Sequence, residues 1–262
     1  MPRGLSILLY GIEGIGKTTF ALQFPKPMAV LPLREPGFSN LEMMGDVPPG
    51  AIASNIKTYE DLTTSLQYLE AKTIVIDSIS GFQEMLIEHV VQNDYNGSRS
   101  HFDSYSQGLR KTCPQYVASF IDQLEFQVKK GTNIIIIAHR QVDVDPDASG
   151  PDTKIVIPYG DHAIYGPFLK WASAILFMSG KKEIEIATKT TGRGDNFQVL
   201  EGKAGRVSRM MYTSFSGNHV AKNLLHLPPV IAMGGSAADS YKLFLEALPP
   251  KLQEMLREKA AT

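Results

Sequence analysis

The chain reads as an α/β protein, a doubly wound and mostly parallel sheet extended towards its C-terminal end by antiparallel strands. Two observations lead there. Short uninterrupted apolar runs, Leu5 to Tyr10, "TIVID" ending at Asp77 and "NIIIIAH" ending at His139, alternate with segments whose apolar residues recur at helical spacing. Strands that apolar are expected where helices cover both faces of a parallel sheet. Beyond Trp171 the runs become "AILFMSG" and the alternating "KEIEIATKT", a hairpin pattern.

Each element has a local reason. Leu5 to Tyr10 is a buried strand, and a glycine-rich turn separates it from a helix over Thr18 to Phe24. In "FPKPMAVLPL" two prolines stop that helix, and Met28 to Leu33 forms the next strand. Thr58 and Asp61 make a capping box for a helix that places Leu62, Leu66 and Leu69 on one face, and "TIVID" follows as a strand. Val117, Phe120, Ile121, Leu124 and Val128 mark an amphipathic helix closed by Lys129, Lys130 and Gly131. The long stretch after His139 reads as a polar loop. From Ser236 the chain turns helical again, with a break at Pro249-Pro250, so the domain boundaries are residues 1–235 for the core and 236–262 for a helical tail.

Bulk composition narrows the classes. At 262 residues there is enough chain for a full core in one domain. A net charge of -1 gives no global attraction to nucleic acid, so any such binding has to come from a local cluster of cations. The single cysteine, Cys113, excludes an internal disulfide and a cysteine-rich metal site, and suits a reducing compartment. No apolar run approaches the ~20 residues of a membrane span, and Met-Pro-Arg-Gly is not a secretory leader. The cytoplasm is the expected location, with no membrane partner.

The turn after the first strand carries the chemistry. Gly11-Ile12-Glu13-Gly14-Ile15-Gly16-Lys17-Thr18 fits G-x-x-x-x-G-K-[ST] and stands between a strand and a helix, the context that motif needs. Its glycines allow positive φ and close backbone approach, so that successive N–H groups can surround a phosphate chain. Gly11 to Thr19 are therefore the expected nucleotide-binding residues, with Lys17 on the β and γ phosphates and the Thr18 hydroxyl on Mg2+. In "TIVIDSIS" the strand delivers Asp77 to the same rim, where a carboxylate holds Mg2+ through its water shell. The plainer alternative is that Asp77 caps the next turn. Glu35 follows the second strand and is the candidate for accepting a proton from the attacking water; a solvated loop glutamate is the alternative. His139 ends its strand on that rim as a candidate sensor of the γ phosphate.

Taken together, "GIEGIGKTT", a glutamate after the second strand, "TIVIDSIS" and "IIIIAH" resemble the RecA-like P-loop NTPase core. The chain is similar, more narrowly, to phage nucleotide-binding proteins of the single-strand annealing and recombination family, whose ending "GRVSRMMYTSFSGNHVAKNLLHLPPVI" resembles. One departure is "LPLREPG", where relatives usually carry an acidic residue before the glutamate. The resemblance implies an ATPase requiring ATP and Mg2+, stimulated by single-stranded DNA and by assembly. It also implies its partners, which are single-stranded DNA, further copies of the chain in a ring or filament, and a single-strand-binding protein. Loops after the helix that follows "TIVIDSIS" and after "IIIIAH" would contact DNA. In the first, Tyr95, Arg99, His101, Phe102, Tyr105, Arg110 and Lys111 mix stacking faces with cations, as sequence-tolerant strand binding needs; the alternative is a mobile polar loop. The second loop carries five aspartates among its cations. Lys222, with Arg206 or Arg209, is by resemblance a residue acting on a neighbouring subunit's nucleotide; a solvated lysine at a strand end is the alternative. Two other functions are open, a small-molecule P-loop kinase and a nucleotide-gated module with little turnover.

Overall fold

The computed structural model describes residues 3–144, 154–190 and 198–261. Among the described residues ten strands form one sheet system, and the main path runs β10-β8-β7-β1-β5-β4-β2-β3. Its parallel part comprises β1 (Ser6–Gly11), β2 (Met28–Pro32), β3 (Ala51–Ala53), β4 (Thr73–Asp77), β5 (Asn133–Val144) and the start of β7 (Ala174–Thr190). The remaining strands, β6 (Lys154–Pro158), β8 (Gln198–Tyr212), β9 (Lys222–Asn223) and β10 (Val230–Ala232), pair antiparallel. This is the doubly wound, mostly parallel α/β arrangement the sequence predicts, with its C-terminal antiparallel extension.

The apolar runs divide their side chains between two cores at the period of a strand. Leu8, Tyr10, Ile74, Ile76, Ile134 and Ile136 face one core, with α3 (Tyr59–Tyr68), α4 (Ile79–Asp94), α6 (Cys113–Lys129) and α7 (His162–Trp171) packed over them. Ile7, Leu9, Val75, Ile135 and Ile137 face the other, under α1 (Lys17–Ala21), α2 (Gly37–Met44), α8 (Ala237–Ala247) and α9 (Pro250–Ala261). Both faces are covered, which is why these strands tolerate no polar alternation.

Local signals acted as expected at several ends. Thr58 Oγ1 accepts from the Asp61 amide while Asp61 accepts from the Thr58 amide, so the capping box starts α3. The tail also has a capping box, Ser236 with Asp239, and its Phe244, Leu248 and Leu256 are buried in the core that holds Phe20 of α1 and Phe24 just after it. The helical tail thus packs beneath the sheet.

Two expectations are corrected. The stretch after His139 is not simply a loop: β5 runs on to Val144 and pairs with β6, then Asp161 caps α7 through a bond from the Ala163 amide. Alternating Gln141, Val142, Asp143 and Val144 carry enough β character to prolong the strand once a partner is present. Residues 145–153 of that stretch lie outside the described residues. The two late runs are likewise one strand, β7, with a register shift between Lys182 and Ile184.

Candidate nucleotide site

β1 ends at Gly11, which is in register with His139 of β5 on one side and Met178 of β7 on the other. A Cβ on Gly11 would lie 2.2 Å from the Met178 carbonyl oxygen, so only glycine lets the chain leave the sheet here. The loop then turns at Gly14 (φ 72°) and Gly16 (φ 96°) before α1 begins at Lys17. All nine residues from Gly11 to Thr19 accordingly share one loop and helix start, as the motif requires.

Lys17 is buried and its Nζ donates to the Gly11 and Ile12 carbonyls at 3.1 and 2.9 Å. Burial pulls its pKa down, against the raising effect of Asp77, Glu13 and Glu35. Thr18 Oγ1 donates to Asp77 Oδ2 at 2.7 Å, bringing together the hydroxyl and carboxylate expected to hold a metal. Asp77 is buried, and desolvation raises its carboxyl pKa despite that hydrogen bond. An isolated carboxylate in such a place is costly, and a divalent cation is the natural compensation. Gly37, at the start of α2, leaves the pair uncovered: a Cβ there would stand 3.6 Å from Thr18 Oγ1 and 3.8 Å from Asp77 Oδ2.

Glu35 stands on the same rim. Its Oε1 accepts from Ser78 Oγ at 2.7 Å and Ser80 Oγ at 3.2 Å, and lies 3.0 Å from His139 Nε2. His139 Nδ1 is 3.4 Å from Glu13 Oε1, yet it is buried with no hydrogen-bond partner among the described residues. Glu13, Glu35, Asp77 and His139 line one cavity of about 290 Å3 with the phosphate loop, Gly37 and Leu41, at the lower end of the ~300–1,000 Å3 usual for small-molecule sites.

The residues present fit ATP with Mg2+. Open space lies beside Gly14, the buried lysine bonds loop carbonyls, His139 Nδ1 has no hydrogen-bond partner among the described residues, and Thr18 and Asp77 supply the hard oxygen donors Mg2+ prefers. Lys17 and the loop amides would hold the phosphate chain, and Thr18 with Asp77 would hold the metal, whose chemistry is to neutralise charge on the transferring phosphate.

The sequence did not single out Ser78 or Ser80, and it marked Arg34 only as part of the departure "LPLREPG". The serines were legible only as the letters after Asp77 in "DSIS". Arg34 adopts φ 59° and forms a two-pronged ion pair with Glu88 of α4, with Glu84 at 3.5 Å. It thereby ties the segment carrying Glu35 to α4.

The other candidates fall elsewhere. The first loop is not irregular but helical, with α5 (Arg99–Asp103), a 3₁₀ turn at Ser104–Ser106 and a π turn at Gly108–Thr112 leading into α6. Phe102 is corrected from a stacking face to a core residue: it is fully buried against Gly108 and Tyr95. Arg99, Tyr105, Arg110 and Lys111 are exposed, and Arg99 pairs with Asp103 at 3.0 Å. Lys222 lies towards the start of β7, away from its own phosphate loop, and its Nζ donates to Leu169 and Lys170 carbonyls at the end of α7. Arg209 turns onto its own chain's loop, with Nη1 3.1 Å from where a Gly16 Cβ would be. Arg206 lies on β8, but its side chain is outside the described residues.

No curated protein matches this sequence. Solved structures with similar folds include the flagellar accessory protein FlaH from Methanocaldococcus jannaschii, at 11% identity over 89% of this chain and 86% of that one, TM-score 0.44. The KaiC-like protein PH0186 from Pyrococcus horikoshii OT3 has 13% identity, covering 91% and 89%, TM-score 0.42. The RadB recombinase has 13% identity, covering 81% and 89%, TM-score 0.40. The AAA domain family, AAA_24, matches residues 3–225, a span holding the phosphate loop, Asp77 and Glu35, and the chain belongs to that family.

Proposed function

We propose that the protein is a Mg2+-dependent ATPase in which Glu35 prepares the attacking water. The observation that carries this reading is the gathering of Lys17, the Thr18–Asp77 pair, Glu35 and His139 around one cavity. A carboxylate held by two serine hydroxyls and facing an imidazole is oriented for proton acceptance, and it comes from a different strand than the metal pair, so both can face the same phosphate. Catalysis of this class is mostly positioning and charge stabilisation, which the buried lysine and the loop amides provide.

The finer reading is that hydrolysis is coupled to single-stranded DNA in a homo-oligomer, in recombination or annealing of the phage type. Its support is the family resemblance together with exposed Arg99, Tyr105, Arg110 and Lys111 on the helical excursion after α4. That excursion is continuous with the helix that Arg34 clamps, so strand binding there has a mechanical path to Glu35. Single-strand-binding protein is a partner in the same reading.

Phosphate release measured with and without single-stranded DNA tests both levels. Turnover abolished by Lys17→Ala and stimulated several-fold by the oligonucleotide supports them. Turnover unaffected by Lys17→Ala removes the ATPase reading, and turnover indifferent to DNA removes the finer one. Stimulation by a small phosphate acceptor instead would mark a kinase.

A further inference from the structure

We infer that Arg209 is a nucleotide-binding residue of its own chain, its guanidinium completing the site beside Gly16 by taking the phosphate nearest the nucleoside. This rests on the phosphate-loop reading above and extends it to a residue distant in sequence.

Strand register puts Arg209 there. Gly11 of β1 pairs with Met178 of β7, and Met178 pairs with Met211 of β8, so Arg209, paired with Gly180, stands two positions past the end of β1, at the level of the loop. A Cβ on Gly16 would be 3.1 Å from Arg209 Nη1 and 3.2 Å from Thr19 Oγ1, which places guanidinium, loop glycine and Thr19 at one spot. The other edge of the fork is fixed. Nη2 donates to the Gly234 carbonyl at 2.6 Å and the Gly235 carbonyl at 2.9 Å. That turn is itself held, because Met233 N bonds Arg209 O at 2.8 Å and the Ser236–Asp239 capping box follows at once. Anchored on one edge, the planar fork presents its other edge to the loop with little rotamer freedom left to lose.

Charge gives the ligand class. Among the described residues no carboxylate pairs with the half-buried Arg209, and two neutral carbonyls satisfy donors without neutralising the cation. A guanidinium in that state beside a polyphosphate loop is completed by a phosphate oxygen, the partner its geometry favours. Sheet order gives the position along the phosphate chain. His139 and Asp77 rise from β5 and β4, and Glu35 follows β2, all on one side of β1, whereas Arg209 rises from β8 on the other. The reacting phosphate belongs with the first group, so Arg209 meets the opposite end of the chain.

The test is calorimetric binding of ADP and of inorganic tripolyphosphate to the full chain, wild type against Arg209→Gln and Arg209→Lys. Both shorter side chains give up the Nη2 anchor on the Gly234 turn; Gln also removes the charge, whereas Lys keeps it. The expected result is about tenfold weaker binding of both ligands by the Gln variant and at most about threefold by the Lys variant. Equal losses in the two variants would assign the effect to the Gly234–Gly235 anchor and overturn the inference. So would unchanged affinities, or a loss for ADP with none for tripolyphosphate, which would move the contact to the nucleoside. A wild-type chain that binds neither ligand overturns the phosphate-loop reading itself, a result separable from all of these.

Discussion

Replacing Glu35 by Gln separates chemistry from binding at this site. Glu35 Oε1 accepts from Ser78 and Ser80 and faces His139 Nε2, and a Gln side-chain oxygen can accept the same serine bonds with the same reach. The structural cost is the weakening of charge-assisted bonds to neutral ones, about 1 kcal/mol in total for a side chain partly screened by solvent. In a chain of this size that lowers Tm by roughly 2–4 °C. The chemical cost is larger, because a neutral amide takes no proton from water. Loss of a general base is worth ~10²–10⁴ in rate, or about 3–5 kcal/mol on the barrier. The assay is phosphate release at saturating ATP and Mg2+, with the ATP Kd measured in parallel. The expected outcome is a Kd within about threefold of wild type and a rate lower by at least about a hundredfold. Turnover within about threefold of wild type at unchanged Kd would remove Glu35 from the reaction.

Asp77→Asn is expected to abolish the Mg2+ dependence of ATP binding and to change the pH dependence of stability. Burial raises the folded pKa of Asp77, so the buried carboxylate costs stability at neutral pH, and this cost is relieved as pH falls towards and through the raised value, which lies above the usual ~4. Melting curves from neutral to mildly acid pH should show that gain in the wild type and not in Asp77→Asn; an equal gain in both would refute the assignment. Lys222→Ala removes a cation from the last carbonyls of α7 and should cost about 1 kcal/mol. Recovered turnover on mixing Lys222→Ala with Glu35→Gln chains would show action across an interface, and failure of recovery would leave only the helix cap. Cys113 is fully buried, with burial pushing its thiol up to about 12. It should resist thiol reagents at pH 8 until the protein unfolds; rapid labelling of the native chain would mean that the start of α6 opens locally.

Most of the parallel sheet and the phosphate loop were legible because their causes are local. An apolar run buried on both faces has no alternation to conceal it, and G-x-x-x-x-G-K-[ST] states its backbone geometry in its glycines. Asp77 was legible for the same reason, as the polar residue that ends such a run. Phe102 was misread because an aromatic among polar letters looks the same whether it faces solvent or a core, and only the turn at Gly108 decides that it packs inward. The polar stretch after His139 was misread because a β-hairpin depends on a partner strand many residues away.

The sequence alone determined that a strand, a glycine turn and a helix meet at Lys17, and that carboxylates at Asp77 and Glu35 follow strands of the same sheet. Tertiary structure decided the pairings: Thr18 with Asp77, Glu35 with two serines and His139, Arg34 with Glu88, and Arg209 with Gly16 and the Gly234 turn. The physical reason is range. Dihedral preference and strand burial act over a few neighbours, while a side chain's charge partner is set by strand order and register, which are collective properties of the folded sheet.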